Sequence, residues 1–229
     1  MKKGIGCLTS FTMIVVLVAC FANLPWRIID IAQRIAPPHR DESDAQSAEP
    51  PPILLVNSAH GLPDGYLPEE LVNLYAQKRY FRLASSEIYL ERTAFEAANR
   101  MFAQAEREGV NGFILTSGYR SAQQQAAVYA EQTDGTASKP GYSEHQTGLA
   151  FDVTAMRDGG GFEDTPQFTW LMEHCWDYGF ILRYPSGKEA ITGIPYEPWH
   201  YRYVGVEAAR LIRENGWTLE EYCEAASGF

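Results

Sequence analysis

The stretch that decides the fold is SEHQTGLAFDVT, which runs from Ser143 to Thr154. From Gly148 onwards, apolar residues alternate with small or polar ones, which is the period-two pattern of a half-buried β-strand. Three apolar residues should face the core: Leu149, Phe151 and Val153. Asp152 should face the other way. His145 lies seven residues before Asp152, an odd spacing that would place it on the opposite face of one straight strand. A bend or bulge near Gly148 is therefore needed to bring the two side chains together.

A second pair of candidate functional residues, Glu197 and His200, lies in PYEPWHYRYVG, from Pro195 to Gly205. The proline that follows Glu197 disfavours helical backbone at that residue. The pair therefore does not belong to the helical H-E-x-x-H motif found in one class of zinc proteases. We expect Glu197 in a turn and His200 on the strand that follows, beside the strand of Asp152.

This arrangement would give a ligand set of two histidines and one carboxylate: His145, Asp152 and His200. Catalytic zinc is held by three protein ligands with one position open, whereas structural zinc is closed by four, usually including cysteines. Zinc makes a water molecule nucleophilic near neutral pH, and an adjacent carboxylate can take its proton. The sequence thus predicts one zinc ion in the domain, with Glu197 as the neighbouring base.

The combined pattern includes SGYRS, from Ser117 to Ser121, then S-x-H-x-x-G-x-A-x-D and E-x-W-H. It resembles the VanY-type D-alanyl-D-alanine carboxypeptidases, in the zinc peptidase superfamily that also contains lysostaphin and the hedgehog signalling domain. The resemblance extends roughly from Leu54 to Gly205.

The resemblance implies a role for each matching residue. It assigns the zinc ligands to His145, Asp152 and His200, and the base that later protonates the leaving amine to Glu197. Arg120 is similar to the arginine that stabilises negative charge on the substrate carbonyl oxygen. Three further residues are expected to contact substrate or wall the pocket: Ser143, Gln125 and Trp199.

The resemblance also implies a substrate, the terminal D-alanine of peptidoglycan stem peptides or their precursors. Two alternatives stay open at this point. The same metal centre could serve an L,D-carboxypeptidase or a peptidoglycan endopeptidase, or the domain could be a non-catalytic metal-binding module that recognises cell wall. The serine nucleophile motif S-x-x-K of penicillin-binding proteins occurs nowhere in the sequence, which excludes that route.

Composition limits the fold and the partners. The 229 residues, 45% of them hydrophobic, suffice for one packed domain with an appendage. The formal net charge of −10 without a Lys/Arg run excludes nucleic acid as a partner. Predicted helices precede a cluster of short strands, without regular βαβ alternation, which indicates an α+β fold with a small antiparallel sheet flanked by helices. We expect a buried strand from Ile53 and a helix from Pro68.

The N-terminal segment, residues 1–26, is predicted to attach the protein to a bacterial membrane. Two lysines precede a charge-free stretch from Gly4 to Trp26, which is long enough to cross a hydrocarbon core of about 30 Å. The positive-inside rule then places the rest of the chain outside the cytoplasm. We favour an uncleaved signal anchor because hydrophobicity continues beyond Cys20. The alternative is a lipoprotein signal peptide with lipidation at Cys20, since LVAC resembles its processing site.

Residues 27–52 and 53–229 complete the predicted organisation. The first range contains a spacer rich in proline and acidic residues and is expected to be an extended tether. The second is the expected zinc carboxypeptidase-like catalytic domain. Cys175 and Cys223 fall on separate predicted helices, so that a disulfide and two free thiols both remain open.

Overall fold

The computed structural model describes residues 53–132, 137–156 and 159–227. The strands of these ranges are β1 (Leu71–Asn73), β2 (Arg82–Leu83), β3 (Tyr89–Glu91), β4 (Phe113–Ser117), β5 (Ala150–Ala155), β6 (Phe180–Leu182) and β7 (His200–Tyr203). The α-helices are α1 (Arg92–Arg107), α2 (Ala122–Glu131), α3 (Pro166–His174), α4 (Glu189–Thr192), α5 (Val206–Asn215) and α6 (Leu219–Ser227). All of them belong to one unit that spans Pro50–Phe229.

The main sheet has five strands in the order β2–β4–β5–β7–β6. Its neighbouring strands are antiparallel except for β2 and β4, which run parallel. The prediction of an α+β fold is confirmed, but the prediction of a purely antiparallel sheet is wrong at this edge. Parallel neighbours need a crossover connection, and α1 supplies it between β2 and β4.

Helix α1 provides the apolar layer behind the strands that carry the site. The carboxylate of Glu91 accepts a hydrogen bond from the Thr93 backbone N–H and caps its N-terminus. In the helix, Phe102 is fully buried, with ring centroids 4.7 Å from Phe113 on β4 and 6.0 Å from Phe151 on β5. These aromatic contacts fix the two central strands against the helix.

A second apolar cluster joins strand β6 to the last two helices. Its buried residues are Ile181, Ala208, Ala209, Ile212, Leu219 and Tyr222. Ile53 and Leu55 pack against this cluster from the beginning of the described chain. The chain ends of the domain therefore share one packing unit with the edge of the sheet.

Two predicted elements differ from the structure. The segment from Ile53 is not a strand; its apolar side chains pack on the second cluster, and the Leu54 carbonyl accepts a hydrogen bond from Arg202 at 2.9 Å. The segment from Pro68 is not a helix, because Leu71–Asn73 pairs with β3. The Asn73 side chain then caps a short 3₁₀ turn by accepting from the Tyr75 backbone N–H.

The predicted anchor (1–26) and tether (27–52) lie outside the described residues. Within the described ranges, none of the helices combines the length and the apolar character that a membrane crossing requires. Cys175 and Cys223 are both free thiols.

Candidate metal centre

Two of the predicted ligands come from paired strands. In the register of β5 and β7, Asp152 lies opposite His200. The Oδ1 atom of Asp152 is 3.0 Å from the Nδ1 atom of His200. The predicted position of His200 beside the Asp152 strand is thus confirmed.

The third ligand, His145, reaches the site through the predicted bend. It lies in a 3₁₀ helix, Glu144–Thr147, that ends at Gly148 with φ of 72°. A Cβ atom at Gly148 would lie 3.1 Å from the Glu91 backbone nitrogen, so both the backbone conformation and the space favour glycine. The bend brings His145 Nε2 to 3.4 Å from Asp152 Oδ2.

Each histidine also has its second ring nitrogen engaged. Nδ1 of His145 lies 2.8 Å from the Gly118 carbonyl oxygen, and Nε2 of His200 lies 3.3 Å from a Glu144 carboxylate oxygen. Both partners are acceptors, so these nitrogens would carry the N–H when the other nitrogen of each ring binds a metal. Such a bond from the second ring nitrogen is typical of metal-ligating histidines. The remaining nitrogens, His145 Nε2 and His200 Nδ1, face Asp152.

The three side chains fit one metal ion. Each of them offers one ligand atom, and these atoms all lie within 4.8 Å of one another. Two imidazole nitrogens and one carboxylate oxygen form a donor set of catalytic zinc.

The electrostatic environment of the three ligands also favours a cation at this place. Burial lowers the pKa of His200, but hydrogen bonds with Asp152 and Glu144 outweigh it and raise that pKa to about 9. The carboxylates thus favour a positive charge at this place, and a metal cation can replace the proton.

Glu197 lies beside the ligands without belonging to the group of three. The His200 backbone N–H donates to the Glu197 carbonyl at 3.2 Å, which closes the turn predicted around Pro198. The Oε2 atom of Glu197 is 3.8 Å from His200 Nδ1. Burial raises the pKa of Glu197, and the nearby Asp152 charge adds to the effect. A carboxylate with a raised pKa next to a metal site is suited to general acid–base catalysis.

Arg120 is held in place by a buried amide. Its Nη1 atom donates to Gln125 Oε1 at 2.8 Å, and its Nη2 atom donates to Ser117 Oγ at 3.4 Å. Gln125 is 1% exposed and donates from Nε2 to the Ser138 carbonyl. It lies in α2, which the Ser121 side chain caps by accepting from the Gln124 backbone N–H. Burial lowers the pKa of Arg120, while the charges of Asp152 and Glu197 oppose that change.

All of the predicted site residues line one cavity of about 360 Å³. They are Arg120, Gln125, Ser143, His145, Asp152, Glu197, Trp199 and His200. Ser143 is 5% exposed, and Trp199 is 42% exposed. Both ends of the Gln125 amide group are bonded within the protein, to Arg120 and to the Ser138 carbonyl.

Glu144 and Tyr184 are among the residues of the cavity wall that were not predicted from the sequence. The Tyr184 ring centroid lies 4.9 Å from that of His200. The Glu144 side chain is fully buried and accepts hydrogen bonds from Arg183 at 2.7 Å and Arg202 at 3.0 Å. Burial raises the pKa of Glu144, but the two guanidinium groups outweigh it and hold that pKa well below its usual range.

Two buried histidines and a half-buried aspartate share their cavity with a separate carboxylate and a fixed arginine. This combination is that of a metal-dependent hydrolase. The family model described as "VanY: D-alanyl-D-alanine carboxypeptidase" matches residues 87–206. The chain belongs to this family, as its sequence motifs predicted.

Individual relatives agree with this assignment. A D-alanyl-D-alanine carboxypeptidase of Enterococcus faecium is 37% identical over 175 residues, which cover 75% of this chain and 57% of the relative. The chain thus spans little more than half the length of that relative. The solved LD-carboxypeptidase LdcB is 37% identical with a TM-score of 0.66, and the match covers 74% of this chain and 84% of LdcB.

A third similar protein was solved with zinc. It is the D,D-pentapeptidase VanY of a VanB-type vancomycin resistance cassette, determined in complex with Zn(II). It is 33% identical with a TM-score of 0.62, and the match covers 75% of this chain and 98% of that one.

Proposed function

We propose that this chain is a zinc-dependent carboxypeptidase that removes the terminal D-alanine from peptidoglycan stem peptides or their precursors. The observation that carries the proposal is the joint exposure of the metal ligands, Glu197 and Arg120 to one cavity. A non-catalytic binding module would need the ligands alone.

The metal would be held by His145, Asp152 and His200, whose ligand atoms converge. Bound zinc supplies a Lewis acid that polarises a carbonyl group and makes water more acidic. The protein orients the ligand rings through Gly118 and Glu144.

Glu197 and Arg120 divide the remaining chemistry. Glu197 takes a proton from the attacking water and later delivers it to the amine of the departing residue, because its raised pKa suits both transfers. The Arg120 guanidinium, fixed by Gln125, stabilises the negative charge that develops on the substrate carbonyl oxygen.

The names of two similar proteins support a D,D-specific substrate. The Enterococcus faecium relative is a D-alanyl-D-alanine carboxypeptidase, and the zinc-bound VanY is a D,D-pentapeptidase. A second candidate is L,D-carboxypeptidase activity, because LdcB shares the fold at 37% identity. The two candidates use the same metal centre and differ only in which bond is cut.

The proposed location is the outer face of a bacterial membrane. It rests on the two N-terminal lysines and the charge-free stretch from Gly4 to Trp26. A domain on a tether outside that membrane has the peptidoglycan precursors within reach.

The experiment incubates the full-length, zinc-loaded protein with stem peptides of two kinds and measures product masses. One kind ends in D-Ala-D-Ala, and the other ends in a single D-alanine that follows an L-residue. We expect loss of one alanine from the first, and loss of activity in chelator until zinc is restored. Shortening of the second peptide alone would establish the L,D activity. Absence of hydrolysis by zinc-loaded protein would indicate a binding module.

A further inference from the structure

The two carboxylate oxygens of Glu144 contact different partners. Its Oε1 atom accepts from both Arg183 Nε (2.7 Å) and Arg202 Nη1 (3.0 Å). Its Oε2 atom lies 3.3 Å from His200 Nε2. The arginines therefore fix the orientation of the carboxylate and leave one oxygen for the ligand ring.

This orientation determines which nitrogen of His200 can bind a metal. A carboxylate paired with two arginines can only accept, so that a neutral His200 ring that binds a metal must carry its proton on Nε2. The lone pair is then on Nδ1, the atom that lies 3.0 Å from Asp152 and 3.8 Å from Glu197. The opposite tautomer would turn a lone pair towards the Glu144 carboxylate.

The network continues into helix α6, outside residues 87–206 of the family match. Arg183 donates to Glu220 from both Nη1 (2.9 Å) and Nη2 (2.6 Å). Glu220 in turn accepts from Asn57 at 3.1 Å. Two carboxylates and two guanidinium groups thus balance in charge, and removing one of them leaves a buried charge without its partner.

We propose that Glu144 is a positioning residue for the metal centre: it keeps the proton of His200 on Nε2, and Glu220 of α6 holds it in place through Arg183. The last helix is in this way a part of the metal site. This inference rests on the metal-dependent function proposed above. It adds residues that lie outside the cavity to the set that supports the metal site.

The first measurement is the ring tautomer of His200 in the zinc-loaded protein, read from the ¹⁵N chemical shifts of its imidazole by NMR. We expect a protonated Nε2 and a zinc-bound Nδ1. A proton on Nδ1 would overturn the proposal without any variant.

The second measurement is zinc affinity, determined by competition with a chelator for Glu144→Gln, Glu220→Gln and a matched control, Glu221→Gln. A glutamine at 144 can accept from or donate to the ring, so it no longer selects one tautomer. Glu221 lies in the same helix and pairs with Lys188 at 3.0 Å, but it has no bond to the network. We expect Glu144→Gln to bind zinc about tenfold or more weakly, and Glu220→Gln to be weakened by a smaller factor. The Glu221→Gln control should keep the wild-type zinc affinity, even if its thermal unfolding temperature is lowered.

Wild-type zinc affinity in a folded Glu144→Gln protein would overturn the proposal. If that variant does not fold, the His200 tautomer and the affinity of Glu220→Gln decide instead. A wild-type protein that binds no zinc would refute the proposed function itself, which is a different outcome.

Discussion

Asp152 and His200 face each other across β5 and β7, with 3.0 Å between Asp152 Oδ1 and His200 Nδ1. Two of the three metal ligands are therefore set by one strand register. A slip of one residue would turn one of them to the other face of the sheet. The metal site consequently depends on the same pairing that holds the sheet together.

Replacing Asp152 with asparagine should deplete the protein of zinc, because the neutral amide is a poorer ligand than the carboxylate. Elemental analysis after dialysis measures the zinc content. Asp177→Asn is the matched control, since Asp177 forms only an exposed ion pair with Arg210. Full zinc content in Asp152→Asn would remove this residue from the ligand set.

Glu197→Gln should keep the zinc and the fold while turnover of a D-Ala-D-Ala peptide falls at least about a hundredfold. The substitution retains shape but removes the proton acceptor. Steady-state kinetics and the zinc content of the purified variant together test this prediction. Glu189→Gln, at an exposed position, is the control. Turnover close to that of the wild type would exclude Glu197 from the mechanism.

Gln125→Leu tests whether this residue acts through Arg120. The leucine cannot accept the guanidinium hydrogen bond, so the arginine loses its fixed position. We expect kcat to fall about ten- to a hundredfold with little change in KM. Gln123→Leu, at an exposed position of α2, is the control. A rise in KM at constant kcat would instead indicate direct substrate binding by Gln125.

The acid stability of the zinc-free protein should depend on Glu220. Burial raises the pKa of Glu220, but the bonds from Arg183 outweigh it and lower that pKa below its ordinary value. A carboxylate whose pKa is lowered by folding stabilises the folded state at pH values above its unfolded-state pKa. This stabilisation is lost as the pH falls through the folded-state pKa.

Glu220→Gln should therefore lower the free energy of unfolding at pH 7 by about 1 to 2 kcal/mol. The difference from the wild type should shrink as the pH falls from above the unfolded-state pKa of a glutamate through the lower folded-state pKa of Glu220, because the wild-type carboxylate then takes up its proton. Urea unfolding at several pH values measures the difference in the free energy of unfolding between the two proteins. A difference that stays constant with pH would contradict this assignment.

The anchor and lipoprotein interpretations of the N-terminus predict different results for Cys20→Ser. Under the favoured anchor interpretation, wild type and variant both stay in the membrane fraction and neither incorporates labelled fatty acid. Labelling of the wild type that is lost in Cys20→Ser would establish lipidation instead.

The parts of the site that follow from local chain geometry could be predicted from the sequence. Alternation around Asp152 indicated the strand, the odd spacing to His145 required the bend at Gly148, and Pro198 indicated a turn rather than a helix. Each of these inferences uses only residues close in sequence.

The parts that depend on distant partners were missed. Glu144 stands between two predicted site residues and has the ordinary sequence context of a solvated acid. The usable signal was an arginine inside each of two apolar strand patterns, Arg183 and Arg202, because a buried arginine needs a buried acid. The helix expected from Pro68 failed for a similar reason: pairing of Leu71–Asn73 with β3 outweighed its local helical pattern.

The two ligand histidines differ in how they can be altered. His145 is oriented by the main-chain carbonyl of Gly118, and a Cβ atom at that position would lie 2.4 Å from the Tyr89 carbonyl oxygen. Exchange of side chains cannot remove this acceptor, and enlarging the residue would displace the backbone. His200 is oriented by a side chain, which single codon changes can replace. In a laboratory search for variants with another metal preference, productive changes should therefore accumulate around His200, while the surroundings of His145 stay as they are.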